Sequence, residues 1–171
     1  MARDTEFLTG GPAQFLLADV NIGHTEGGIS VSVAPQNRAR MVDEYGSSAV
    51  DMIHTGDEVG VTAPLAEWTQ ATLEQVYDPG RDQLTLGSGN TPYLGIGRTG
   101  GYLYTAQDLK VTPLLAADAN KRVQLYRATP IGEIAINHDA DEDRIMSVQF
   151  RGLVDDERTD GELIGRLQLS D

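Results

Sequence analysis

Ile29-Ser30-Val31-Ser32-Val33 and Arg144-Ile145-Met146-Ser147-Val148-Gln149-Phe150-Arg151 alternate apolar and polar side chains. That is the period-2 pattern of strands with one face on a core and the other in water. In the second stretch Met146, Val148 and Phe150 share a face, with Ser147, Gln149 and Arg151 opposite. Working outward, Gln14 to Val20 reads as a strand before Ile29, and the glycine-rich Asn21-Ile22-Gly23-His24-Thr25-Glu26-Gly27-Gly28 as the turn between them. The strand at Ile29 is expected to end at Ala34-Pro35.

Further strands are expected at 40–44 and 49–53, flanking a turn at Tyr45-Gly46-Ser47-Ser48, and at 58–62. Others follow at 102–105, 109–112, 122–127, 133–137 and 163–169. One segment has helical spacing. Pro64 suits a first helical position, Leu65, Trp68, Thr72, Leu73 and Val76 fall on one side, and Tyr77-Asp78-Pro79-Gly80 is a stop. The sum is a mainly β fold, a β-sandwich or small barrel with one flanking helix.

At 171 residues the chain fits a single domain. Within it the pattern sets off an N-terminal arm (1–11), a projecting hairpin (38–56), a helix (64–78) and a long loop (79–101). A charge-rich hairpin suits projection from a core or packing on a neighbour, and a loop longer than about 12–15 residues is usually a functional one.

Composition narrows the function. The 26 acidic against 13 basic residues give a net charge of −13, which disfavours tight nucleic-acid binding. There is no cysteine, hence no disulfide, thiolate nucleophile or Cys-ligated zinc, as suits a reducing cytoplasm. The first residues do not read as a secretory signal, and no apolar run reaches membrane-spanning length.

The motifs that touch on chemistry fail in context. Gly95-Ile96-Gly97-Arg98-Thr99-Gly100 matches G-x-G-x-x-G, but an aromatic strand rather than a helix is expected after it. Asp139, Asp141 and Asp143 open like a calcium loop, yet Arg144 stands where a glycine is needed and Phe150 where a glutamate is. They read as a solvated hairpin tip, and Asp155 to Glu162 likewise. His24, His54 and His138 lack metal-ligand spacing, and no G-x-S-x-G elbow occurs. No catalytic residue, metal or cofactor is expected.

The order of features resembles the tail tube proteins of long-tailed bacteriophages over most of the chain. The resemblance is carried by Asp19-Val20-Asn21-Ile22-Gly23-His24-Thr25-Glu26-Gly27-Gly28-Ile29, with its T-E-G-G passage between strands. It continues in Val42-Asp43-Glu44-Tyr45-Gly46, Val50-Asp51, Thr55-Gly56-Asp57-Glu58-Val59 and Leu65-Ala66-Glu67. Glu142 to Leu153 is similar to the closing strand of the family, with Gly152 where an alanine is common.

The resemblance implies a structural virion protein, made in the host cytoplasm, that stacks as hexameric rings into a hollow conduit for DNA ejection. Strands within 29–61 and 122–153 would close a continuous barrel around the lumen. Its partners would be other copies, tail proteins at the tube ends and a tape measure protein in the lumen, with DNA passing unbound and no membrane. Candidate inter-ring contacts are Phe7, Leu8, Asp43, Tyr45, Gly46, Tyr93 and Arg98. The competing reading is another non-enzymatic component, a capsid decoration protein or a secretion-system tube subunit.

Overall fold

The computed structural model describes residues 12–67, 69–77, 85–86, 92–93, 100–101, 103–115, 121–136 and 145–168. The elements are β1 (Ala13–Leu17), β2 (Val20–Asn21), β3 (Ser30–Met41), β4 (Ala49–Leu65), α1 (Gln70–Tyr77), β5 (Thr85–Leu86), β6 (Pro92–Tyr93), β7 (Gln107–Pro113), β8 (Val123–Ile136), β9 (Met146–Gly152) and β10 (Gly165–Leu167). Eight strands form one antiparallel sheet in the order β2-β1-β7-β8-β9-β4-β3, with β10 on β8; β5 and β6 pair separately. The fold is mainly β with a short flanking helix.

The sheet curls. In a flat sheet β1 and β9, with β7 and β8 between them, would lie about 14 Å apart. Instead the rings of Phe15 on β1 and Phe150 on β9 stand 5.6 Å apart between centroids. The core inside the curl holds the apolar alternation of β9 (Met146, Val148, Phe150), of β4 (Val59, Val61, Ala63, Leu65), and Leu17, Leu109 and Leu125, all buried. Gly23, at φ 113°, allows the β2–β3 turn to press on residue 67, where a Cβ would come within 2.8 Å of the Glu67 carbonyl oxygen.

Several elements differ from the sequence pattern. Pro64 and Leu65 do not open a helix; they end β4, opposite Ser147 and Met146 of β9. The buried period-2 run from Val59 carries through Pro64, whose fixed φ is compatible with extended chain. The helix begins at Gln70, behind Thr69, whose Oγ1 accepts from the Thr72 amide at 3.3 Å as a cap. Val76 is its buried contact with the core, and Trp68 lies outside the described residues.

The strand expected to run from Gln14 to Val20 is broken by Ala18 and Asp19, both at positive φ (49° and 63°), a two-residue hairpin turn. The strands expected at 49–53 and 58–62 are one strand, as are those at 122–127 and 133–137. Residues 103–105 are not a strand. The stretch read as a long loop contains the β5–β6 pair.

Candidate functional site

The β3–β4 hairpin is the least core-like part of the fold. β4 pairs with β9 only from Gly60 to Leu65, whereas its ladder with β3 runs on from Thr62 to Ala49. Beyond Gly60 the two strands therefore leave the sheet as a two-stranded arm. Pro35, where a strand end was expected, is accommodated because β3 is the sheet's edge strand, which tolerates a missing ladder donor. A register shift between Gln36 and Asn37 leaves Thr55 bulged beside Gly56 at φ 144°, and the arm continues to its tip.

The tip is a 3-10 turn, Asp43–Tyr45, rather than the end of a strand, closed by Gly46 at φ 64°. Almost every side chain from Val33 to Asp57 is exposed. These include Met41, Tyr45, Val50 and Met52, each more than half exposed. A lone two-stranded hairpin is at best marginally stable in water, and water gains nothing from such apolar groups.

Of the candidate contact residues, the structure brings Asp43, Tyr45 and Gly46 together at this tip. Tyr93 lies apart from them on β6, opposite Thr85. Phe7, Leu8 and Arg98 lie outside the described residues.

A groove of about 1040 Å³ opens where the arm parts from the sheet. Val31, Val33 and Val59 line one wall, and Leu125, Ile164 and Leu167 the other. It exists because β9 ends at Gly152 and β10 continues its line along β8, from Gly165↔Leu125 to Leu167↔Val123. Gly152 and Gly165 are needed there: a Cβ at the first would strike the Ile164 side chain at 2.6 Å, and one at the second would overlap the Gln124 carbonyl. Among the described residues, neither the β9-side edge of β4 below Gly60 nor the edge of β10 away from β8 has a strand partner.

The segment from Leu153 to Ile164 is folded rather than loose. Its backbone is tied by Asp155 N–H to the Leu163 carbonyl (2.7 Å) and Leu153 N–H to the Arg127 carbonyl (2.7 Å). Tyr126 donates its hydroxyl to Glu162 at 3.1 Å, while the Arg158 guanidinium lies 4.1 Å over the Tyr126 ring and pairs with Asp155 at 3.3 Å. Burial first, then the bond to Glu162, raises the Tyr126 phenol above its ordinary pKa. On the neighbouring strand β7, opposite Gln124, Lys110 bridges Asp19 (2.6 Å) and Asp108 (2.9 Å), and these bonds raise its pKa.

His24 stands 3.8 Å from Glu67 and His54 3.6 Å from Asp57, both pairs exposed, and His138 lies outside the described residues. The described residues hold no group of three or more His, Asp or Glu placed to bind a metal. No helix among them is long and apolar enough to cross a membrane.

Neither a protein-family model nor a curated protein matches the sequence. Among solved structures the chain is similar to the anti-feeding prophage cap (AFP tube terminating cap), at a TM-score of 0.45 and 11% identity, over 88% of this chain and 94% of that one.

The groove was not singled out by sequence reasoning, which read the acidic stretch from Asp155 to Glu162 beside it only as a solvated tip. The separate strand signals at 144–151 and 163–169 gave no sign that β9 and β10 share one edge of β8. The bare length of the arm was missed for a related reason. Pro35 and the turn-like Thr55-Gly56-Asp57 look like strand ends in sequence and are internal to a ladder in space.

Proposed function

We propose that this chain is a structural, non-catalytic subunit of a phage-type tail tube, polymerising as stacked rings into a conduit through which DNA leaves the virion. The observation that carries the reading is the arm, whose strands leave the sheet beyond Gly60 with both faces bare. An element that costs conformational entropy and buries almost nothing in its own subunit is accounted for by burial against another. The free edge of β3, 12 residues long, offers a second subunit a template for continuing the sheet, as closure of a barrel requires.

The charge fits the same role. A wall built from copies that each carry −13 repels the phosphate backbone and lets DNA slide without being held. Asp43, Tyr45 and Gly46 at the tip are the described contacts to a neighbouring ring in this reading; Phe7, Leu8, Tyr93 and Arg98 complete the set proposed from sequence.

Electron microscopy of the concentrated purified protein tests it. Long hollow tubes are the expected result. Isolated rings would favour a secretion-system relative, knobs on heads a decoration protein, and a chain that stays monomeric at every concentration would overturn the assembly reading.

A further inference from the structure

The side chains of seven of the nine described lysines and arginines have a partner; those of Arg38 and Arg40 have neither a hydrogen bond nor an ion pair among the described residues. In a chain with twice as many acids as bases, two idle arginines are conspicuous. They sit two residues apart on β3, opposite Ile53 and Asp51, so they project from one face of the arm.

The groove shows the complementary deficit. Its floor is apolar, and its rim is the turn from Val154 to Asp160, both of which line it. On that turn Asp155 is taken by Arg158, while the side chains of Asp156, Glu157 and Asp160 have no partner among the described residues.

We propose that the groove is the seat of another copy's arm: Arg38 and Arg40 of one molecule meet Asp156, Glu157 and Asp160 of the next, while exposed apolar side chains of the arm, Met41, Tyr45, Val50 and Met52, cover the groove floor. The arm cannot serve its own groove, because residues 54–57 of β4 already form that groove's wall and a continuous ladder cannot fold back on itself. The occupant is therefore a second molecule. A local charge match at Arg38 and Arg40 selects this chain's own arm, although Asp43, Glu44 and Asp51 make its tip acidic: two cations and three acids without a partner among the described residues face each other, and exposed Tyr45 and Met52 are set against the groove. Such a contact joins two different surfaces, so it propagates head to tail into rings or open polymers instead of ending at a dimer. The inference rests on the assembly reading above and specifies its contact.

The test is a charge exchange read by sedimentation and light scattering of the full chain, with circular dichroism confirming that each variant is folded. R38E/R40E alone and D156K/E157K/D160K alone should each self-associate at least about tenfold more weakly than wild type. Mixed one to one, they should regain association, since acidic arms then meet basic rims and basic arms acidic rims. Salt should weaken the wild-type contact as the screening length falls from ~10 Å at 0.1 M to ~3 Å at 1 M. A wild type that assembles while both variants assemble equally well would overturn this contact and leave the assembly reading standing. Variants that lose association but are not rescued by mixing would also overturn the pairing. A wild type that never associates would remove both.

Discussion

Phe15 and Phe150 meet at a 56° tilt across the core, although two strands separate β1 from β9 in the sheet. Each ring is almost wholly buried, and the two pack on each other across the curl. The pair therefore acts as a clasp. Phe150→Ala should cost about 3–5 kcal/mol, measured by urea unfolding, because the neighbours relax only partly into the space. Phe15→Ala should cost a similar amount, and the double variant less than the sum, since the same contact is lost twice. Full additivity would show that the two rings do not depend on each other.

The turn after β1 stores strain. Ala18 holds φ 49° with no side-chain hydrogen bond to compensate, whereas Asp19 at φ 63° has Lys110. Ala18→Asn or Ala18→Gly should raise stability by about 0.5–1 kcal/mol, because both residues accept left-handed geometry more readily. A fall in the unfolding midpoint would argue against strain at this turn.

Stability and assembly should separate along β4. Tyr45→Ala and Met52→Ser, on the arm, should leave the unfolding free energy within about 0.5 kcal/mol of wild type, as exposed positions do. Both should impair polymerisation as followed by light scattering. Val61→Ala, on the same strand but buried, should instead destabilise by about 1–3 kcal/mol. If the arm variants unfold more easily and polymerise normally, the arm belongs to the subunit's own fold.

Alkaline pH should loosen the protein through two groups. Lys110 and Tyr126 both hold their protons more tightly in the folded chain than at their ordinary values of 10.5 and 10.0. Below those values folded and unfolded chains are equally protonated, and the contribution is fully present. As pH rises, the unfolded chain gives up its protons first, so stability falls until the folded groups titrate too. Unfolding midpoints should therefore decline above about pH 10, and less steeply in Tyr126→Phe. Ultraviolet titration should show a late-ionising phenol that this variant lacks.

The core was legible in the sequence wherever alternation was unbroken. Met146, Val148 and Phe150 lie on the buried face, and Val31 pairs with Val61 inside the curl. What misled was punctuation. Proline and glycine mark ends on average, but Pro64 lies where the β3 ladder has already stopped, and Gly56 serves a bulge. A turn was readable at Tyr45 and Gly46, whereas Asp43, read as part of a strand, belongs to the turn as well. The groove was not, because it depends on β9 and β10 sharing one side of β8, and pairing between segments more than ten residues apart leaves no local trace. Arg38 and Arg40 are likewise unremarkable in sequence; their lack of partners exists only in three dimensions.

β4 passes from the sheet, where β9 and the edge strand β3 flank it, to the arm as one 17-residue strand. A tug on the tip consequently travels along a single covalent line and reaches β9 and β3 lengthwise, where many ladder bonds resist together instead of parting one after another. The Thr55–Gly56 bulge interrupts the ladder on that line, and in an assembly it would be the place where the arm bends to suit a neighbour. A polymer of such subunits would be tied together by threads rooted in each core, with its bends at the bulges.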